Sequence, residues 1–213
     1  MSAQTIAEAK CKEIYREAQT FFDQISYSRN YGFKILNGPP LFQPPILFIG
    51  YQPGGGSLDF KEEIARGSDK HWPPTCEYAT ETWTLARRMR PMFGQKFLAQ
   101  CVGMNAIFLR SPSVDDDYKR DFDKTTRARI EEFCLPRVCQ IVEVIDPIKI
   151  LAIGFDTLRL FGPTNAEFKN KKERTLTLAG QIAGRRAIAT LHLSRAHISN
   201  PDRDTIRDRV LEW

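Results

Sequence analysis

Short apolar runs that end in polar or glycine-rich turns constrain the fold of this chain more than any other feature. The clearest of them are the segments Phe48–Gly56, Met104–Pro112 and Thr190–Ser194. In a parallel α/β sheet the turns that follow the strands lie at one edge, where ligands bind. The sequence therefore predicts that one polar side chain from each turn comes together with the others in space. These side chains are Gln52, Asn105 and His192.

Strand and helix patterns alternate along the rest of the chain. Continuous apolar runs predict parallel strands at residues 46–49, 106–109, 149–153 and 187–191, the last of which has a hairpin partner at 176–178. Helical spacing predicts helices at residues 3–24, 81–93, 156–160 and 202–213. A long helical pattern at 127–145 contains Pro136, and because proline favours a first helical turn, the main helix is predicted to begin near it. The charged stretch 114–126 is predicted to be a mobile surface loop.

This alternation predicts an α/β fold, a three-layer sandwich in which helices cover both faces of a central four-stranded parallel sheet. A chain of 213 residues is long enough to bury about 70% of its unfolded surface in one core. We therefore expect a single domain over residues 1–213, with residues 1–40 as a helical N-terminal extension, and a monomeric protein.

Composition argues against several classes of protein. No apolar run approaches the ~20 residues of a membrane span, and the polar N-terminus lacks a secretory signal, so a cytoplasmic protein without membrane contact is expected. The five cysteines are scattered and never spaced Cys-x-x-Cys. This pattern favours buried free thiols over a disulfide framework or a metal site, and the sequence indicates no cofactor.

Positive charge is concentrated towards the C-terminus. Residues 156–213 hold eleven Lys and Arg against seven Asp and Glu, which accounts for +4 of the formal +5. Six of these cations lie within Pro163–Arg186: Lys169, Lys171, Lys172, Arg174, Arg185 and Arg186. A basic segment beside a cleft suits a phosphate backbone. A solvated loop and hairpin would carry the same charge, and the sequence leaves both interpretations open.

The three turns carry residues whose chemistry suits a ligand. The glycines of Gly54–Gly56 allow close backbone approach, although the segment lacks the Gly-Lys-Ser/Thr ending of a phosphate-binding loop. Asn105, which is expected to open a strand, offers both a donor and an acceptor for the edge of a base. His192 can donate a hydrogen bond to charge that develops on a leaving group. Structural explanations also exist: a tight strand exit, a turn asparagine and a histidine at a strand end.

In the order of these segments the chain resembles the uracil-DNA glycosylase superfamily. The family pattern runs from Gly-x-x-Pro-Gly to Asn-x-x-x-x-Arg-x-Pro, then to Asp/Lys-Pro-x-x-hydrophobic-Gly and finally to His-Pro-Ser/Ala. The matching segments here are Gly50–Gly54, Asn105–Pro112, Asp146–Gly154 and His192–Ser194. The resemblance extends over roughly residues 45–208.

The resemblance implies a DNA-binding glycosylase that hydrolyses the N-glycosidic bond of a flipped, damaged or deaminated base in single- or double-stranded DNA. It implies that Gln52 in the first motif positions the hydrolytic water, that Asn105 reads the base and that His192 stabilises the departing anion. The other residues placed around the substrate are Gly50, Tyr51, Pro53, Gly54, Phe60, Ser194 and Arg195. Phe60 is a candidate for stacking on a base or for a core position, and Arg195 is a minor-groove probe or a surface charge.

The chain departs from the family pattern at several points. Gln52 stands where several branches have Asp or Asn, and a glutamine cannot take up a proton, so it can at most orient water. One bacterial branch with this glutamine cross-links to the abasic sugar, but Tyr51 replaces its acidic residue and 114–126 contains no histidine. Only Cys134 matches the four cysteines of the iron–sulfur branches. Leu193 replaces the usual proline and is expected to loosen the turn that aims His192.

Three hypotheses follow. The first is a base-excising glycosylase of weak or unusual catalysis. The second is a nucleic-acid-binding module of the same fold that has lost its catalytic carboxylate, which Gln52 and Leu193 favour. The third is a small-molecule α/β enzyme that acts on nucleosides in the same pocket. The base or lesion is left open by the sequence.

Overall fold

The structure is a computed structural model that describes residues 1–25, 32–55, 72–113, 118–194 and 196–212. Its centre is a mixed sheet of six strands in the order β2-β1-β3-β6-β5-β4. The strands are β1 Leu47–Gly50, β2 Val102–Asn105, β3 Ile150–Ile153, β4 Asn165–Lys169, β5 Thr175–Ile182 and β6 Arg185–Thr190. The prediction of an α/β fold is confirmed.

The predicted sheet of four strands was wrong in number, because two antiparallel strands extend it. Strands β2, β1, β3 and β6 are parallel neighbours, and β5 and β4 continue the sheet in antiparallel pairing. The β5–β6 hairpin was expected from its apolar runs. Strand β4 was missed because its sequence, Asn-Ala-Glu-Phe-Lys, is largely exposed and carries no apolar run.

Helices cover both faces of the sheet. In the described residues they are α1 Ala3–Asp23, α2 Glu77–Thr80, α3 Thr84–Phe93, α4 Gln95–Leu98, α5 Lys119–Asp121, α6 Lys124–Ile145, α7 Phe155–Arg159 and α8 Asn200–Glu212. Helices α1, α6 and α7 contribute to one apolar cluster, and α2, α3, α4 and α8 to the other. Within the described residues, every helix is too short or too polar to cross a bilayer.

Helix α6 corrects two predictions about the middle of the chain. It begins at Lys124, where the Asp123 side chain caps the backbone nitrogen of Thr126 at 2.6 Å, and it passes through Pro136 without ending. Beside the proline, the Arg137 guanidinium donates to the Phe133 carbonyl at 2.8 Å, which offsets part of the disturbed helix pairing. Residues 118–126 are therefore partly helical, and 114–117 lie outside the described residues.

The second strand also differs from its prediction, since it covers Val102–Asn105 rather than 106–109. Beyond Asn105 the backbone stays paired with the end of β1 and the residue after it: Ala106 N–H donates to the Gly50 carbonyl and Ile107 N–H to the Tyr51 carbonyl, both at 2.8 Å. Asn105 therefore closes a strand, where the sequence suggested that it opens one. This correction places it at the carboxyl edge of the sheet.

The N-terminal forty residues complete the core and one edge. Helix α1 packs on α6, and the Tyr15 hydroxyl accepts a hydrogen bond from the Leu36 backbone nitrogen at 2.9 Å. Antiparallel bridges then join Phe33 to Leu109 and Leu36 to Met104. All five cysteines are free thiols; Cys139 is half-buried, and the other four are buried as expected.

Candidate functional site at the carboxyl edge of the parallel strands

The order of the parallel strands predicts a ligand-binding crevice at the carboxyl ends of β1 and β3. The chain leaves β1 towards helices on one face, since Met89 of α3 belongs to the second apolar cluster. It leaves β3 towards the opposite face, since Leu158 of α7 belongs to the first cluster. In open α/β sheets such a reversal of direction opens a crevice at the carboxyl ends of the strands, and ligands bind there.

The loop after β1 is tied to the segment after β2. Ser111 N–H donates to the Pro53 carbonyl at 3.1 Å, and the Arg110 guanidinium donates to the Gly54 carbonyl at 3.0 Å. Arg110 is 5% exposed, so a cation is buried beneath this loop. These bonds extend those from residues 106 and 107, and together they fix the path of the first motif from Gly50 to Gly54.

Gln52 is the member of this loop with unsatisfied polar atoms. Its Oε1 and Nε2 are both buried and make no hydrogen bond within the described part of the chain. A buried polar atom without a partner costs about 1–3 kcal/mol, so native structures rarely keep two on one side chain without a reason. The neighbouring Tyr51 packs against the first apolar cluster. Gln52 is therefore the residue of this loop whose side-chain hydrogen-bonding capacity is unused within the described residues.

The side-chain amide nitrogen of Asn105 is hydrogen-bonded, and its amide oxygen lies near Gly50 at the end of β1. It is 3% exposed, and its Nδ2 donates to the carbonyls of Lys34 and Ile35 at 3.3 and 3.5 Å. These carbonyls accept only, so they fix which end of the amide faces them. The Oδ1 lies 3.3 Å from the place where a Cβ at Gly50 would stand. Within the described residues it makes no hydrogen bond.

His192 follows β6 and packs beside the end of β3. Its Cδ2 would lie 3.5 Å from a Cβ at position 154, where the backbone φ of +97° requires glycine. The ring Nδ1 lies 3.4 Å from the Ser194 backbone nitrogen and 3.0 Å from the Ser194 Oγ. The contact with the Ser194 N–H favours the tautomer with its proton on Nε2, and the contact with the Ser194 Oγ fits either tautomer.

The three polar residues thus lie at one edge, on strands in a known order. Asn105 is the register partner of Gly50, two residues before Gln52. Gly154, against which His192 packs, follows the strand on the other side of β1. With a spacing of about 4.8 Å between strands, the backbones of Asn105 and His192 are about 14 Å apart across three strand intervals.

The His loop, residues 192–194 and 196–197, is anchored at both ends. The Arg88 guanidinium donates to the Leu193 carbonyl at 2.9 Å, and that of Arg174 donates to the His197 carbonyl at 2.7 Å. Leu193 itself is only 2% exposed and packs in the second apolar cluster. In place of the expected loosening, its burial and the two arginines hold the turn that positions His192.

Sequence reasoning missed an ion pair beside Asn105. Lys34, whose carbonyl accepts from Asn105, also places its Nζ 2.7 Å from the Glu77 carboxylate, and both side chains are largely buried. Neither residue has a local sequence signal, because they are 43 positions apart and pair only in the folded chain. The same holds for Arg88, which reaches the His loop across 105 positions.

Other predicted residues fall elsewhere or outside the structure. Phe60 and Arg195 lie outside the described residues. The cations of the basic segment lie at both edges of the sheet. Those of the β4–β5 turn lie at the carboxyl edge of the parallel strands. Arg185 and Arg186 lie at the amino end of β6 and are ion-paired with Asp146 and Glu167. A groove of about 540 Å³ lies away from the crevice, between α1 and α6, where Phe21, Phe133 and Arg137 are among the residues that line it.

Comparison with models of known protein families finds no match, and no curated protein sequence matches the chain significantly. The four short motifs and the geometry of the crevice are therefore what bears on function.

Proposed function

We propose that the protein binds DNA and hydrolyses the N-glycosidic bond of a flipped deaminated base, with the base held in the crevice between β1 and β3. The observation that carries this proposal is the Gln52 amide, whose two polar atoms are buried and unpaired within the described residues. It lies at the topological reversal where α/β sheets bind their ligands. The four motifs of the glycosylase resemblance support the same site.

Asn105 would select the base through its acceptor. Deamination turns the ring nitrogen next to the lost amino group from an acceptor into an N–H donor, as at N3 of uracil and N1 of hypoxanthine. The Asn105 donor is engaged by the carbonyls of Lys34 and Ile35, whereas its Oδ1 is not bonded within the described residues. An acceptor binds the N–H of a deaminated base and opposes the lone pair of cytosine or adenine.

His192 would stabilise the leaving group. As the C1′–N bond breaks, its electron pair passes to the base, and positive charge is left on the sugar. With Nδ1 accepting from Ser194, the ring presents an Nε2–H donor to the anion on the base. The anchored His loop keeps this donor in place at no reorganisation cost during the reaction.

Gln52 would orient the attacking water rather than activate it. Its Oε1 can accept a hydrogen bond from water that adds to C1′, and the water then loses its proton to solvent. A carboxamide takes up no proton, so no general base is supplied by Gln52. The carboxylate of Glu77, beyond Asn105, is already paired with Lys34. Slow turnover is expected for this reason.

The test uses single- and double-stranded oligonucleotides that contain one uracil or one hypoxanthine, with cytosine and adenine counterparts. The wild-type protein is expected to leave alkali-labile abasic sites at the deaminated bases only. His192→Ala should lower the cleavage rate about 100-fold, as the loss of an anion-stabilising donor does.

His197→Ala is the matched control, because this exposed histidine in the same loop is bonded only through its backbone carbonyl in the described structure. It should cleave as the wild type does. Absence of strand breakage at every lesion, or equal losses in the two variants, would contradict the proposal.

A second candidate is a binding module that holds the base without hydrolysing it. It is favoured by Gln52, which stands where a catalytic carboxylate would be needed for efficient hydrolysis. It predicts that DNA with a deaminated base is bound more tightly than its undamaged counterpart, that affinity falls with salt, and that no base is released. Release of base in the same titration mixture rejects it.

A further inference from the structure

The turn between β4 and β5 lies at the same sheet edge as the candidate site. Strand β5 is antiparallel to β6, with Thr177 opposite Thr190, so β5 begins at the edge where β6 ends. Strand β4 ends opposite that beginning, since Lys169 pairs with Thr175. The turn 170–174 therefore lies beside the His loop, and Arg174 bonds to that loop directly.

This turn is built to hold one shape. The Asn170 Oδ1 accepts hydrogen bonds from the backbone nitrogens of Lys172 and Arg174 at 3.0 and 3.1 Å. Its Nδ2 donates to the Asp202 carboxylate near the start of α8 at 3.2 Å. Glu173 takes a left-handed backbone conformation, φ +59°, which closes the turn. The tip is thereby fixed to both the sheet and α8.

The tip also presents uncompensated positive charge. Lys171 and Lys172 are exposed, and neither makes an ion pair within the described part of the chain. Of the nearby carboxylates, Glu173 pairs with Lys169 at 3.2 Å, and Asp202 accepts a hydrogen bond from the neutral amide of Asn170. The other basic pair of this segment, Arg185 and Arg186, is paired with carboxylates. In the basic segment, the turn therefore combines exposed lysines without an ion pair and a position beside the His loop.

We propose that the β4–β5 turn binds DNA phosphates beside the base held in the crevice, with Lys171 and Lys172 as the contacting residues; this rests on the proposed function. A rigid pair of adjacent lysines binds phosphates as point charges without reading sequence. Their place next to the His loop puts these contacts within a few nucleotides of the base. The turn sets the register of the strand and contributes affinity that depends on salt.

The experiment compares Lys171→Glu/Lys172→Glu with a control that has the same charge change, Lys12→Glu/Lys96→Glu. Lys12 lies on α1. Lys96 lies on α4, just before β2, which is the outermost strand on the side of the sheet opposite to β4. Both lysines are exposed and make no ion pair within the described residues. Binding of a uracil-containing oligonucleotide is measured as a function of salt concentration. Cleavage is measured at saturating DNA.

For the turn variant we expect binding to weaken at least tenfold. The slope of log affinity against log salt should fall by about 2, because each phosphate contact contributes about 0.9. Cleavage at saturating DNA should be unchanged, since neither lysine lies in the crevice. The control variant should keep most of the wild-type slope.

The two proposals fail in different ways. If the wild type binds and cleaves and the turn variant has the same slope as the control, the role of the turn is refuted and the glycosylase proposal stands. If the wild type binds DNA with the expected loss in the turn variant but cleaves nothing, the hydrolytic function is refuted and the phosphate contacts stand. Absence of any DNA binding by the wild type overturns both.

Discussion

Two glutamines at opposite edges of one sheet have opposite surroundings. Gln43, at the amino edge, donates from Nε2 to the Asp146 carboxylate at 2.8 Å, and its backbone nitrogen bonds to the Ile145 carbonyl. Gln52, at the carboxyl edge, has both amide atoms buried and unpaired within the described residues. The amino edge also binds Lys149 to the last carbonyls of α8, Val210 and Leu211.

Under the proposed function, polar groups at the amino edge stabilise the fold, and unpaired polar groups at the carboxyl edge bind the ligand. Polar groups at the amino edge satisfy each other, so their removal should cost folding free energy and leave ligand binding unchanged. Polar atoms at the carboxyl edge that lack partners contribute little to stability, so their removal should cost function only. The following changes test this division, from the largest expected effect to the smallest.

Gln52→Leu should lower base excision about 100-fold, because the attacking water loses the group that orients it. If the protein binds the base without hydrolysing it, the change should abolish lesion-specific binding. The free energy of unfolding should not fall, because the change replaces two unpaired buried polar atoms by an apolar group of similar size. Urea unfolding and the oligonucleotide cleavage assay measure the two effects. A clear loss of stability with normal cleavage would show that Gln52 stabilises the fold and has no role in base excision.

Lys149→Met should have the opposite signature. The ammonium group loses its bonds to Val210 and Leu211 at the end of α8, and the change should cost about 1–2 kcal/mol of unfolding free energy. For a chain of this length that corresponds to a lower Tm by roughly 2–8 °C. Lys172→Met is the matched control and should keep the wild-type Tm. Loss of cleavage at saturating DNA in Lys149→Met would contradict the claim that the amino edge contributes to stability alone.

Gly50→Ala should act mainly on the site. The added Cβ would lie 3.3 Å from the Asn105 Oδ1, close enough to displace the acceptor by a few tenths of an ångström. We expect about a tenfold loss of discrimination between uracil and cytosine, equivalent to about 1.4 kcal/mol. Competition binding with the two oligonucleotides measures it. Gly54→Ala, where a Cβ meets no atom of the described residues within 4 Å, serves as the control.

Asp146→Asn should show a small, pH-dependent effect. Hydrogen bonds from Gln43 and then Arg185 lower the pKa of the folded-state Asp146 carboxyl below its ordinary value. A lowered folded-state pKa gives stability that is present above the unfolded pKa and is lost as pH falls through the folded pKa. The difference in Tm between wild type and variant should therefore be larger at pH 6 than at pH 2.5. Asparagine tolerates the left-handed backbone at this position, φ 52°.

The sequence predicted the parts of the fold that depend on local pattern. Continuous apolar runs identified β1, β3 and the β5–β6 hairpin, and helical spacing identified α1 and α8. Strand β4 is polar and exposed, so it has no apolar signal, and it pairs only because β5 offers an open edge. Pro136 was given too much weight, because burial of the α6 face outweighs one disturbed turn.

The sequence predicted the position of the candidate site. It did not predict the residues that hold the site residues in place. Glycine and polar residues after the strands indicated the carboxyl edge, where the structure has Gln52, Asn105 and His192. The groups that hold them come from distant segments: Lys34 behind Asn105, Arg110 under the first loop and Arg88 on the His loop. No spacing rule connects such partners, because their contact depends on the finished packing.

The most direct test of the two-edge account is the side-chain amide signals of Gln52 and Gln43 in a ¹H–¹⁵N NMR titration. The ligand is an oligonucleotide that contains a non-hydrolysable deoxyuridine analogue, with the cytosine oligonucleotide as reference. The account predicts that the Gln52 signal shifts with the uracil analogue alone and that the Gln43 signal stays in place. A Gln52 signal that does not respond, or equal shifts at both glutamines, would contradict it.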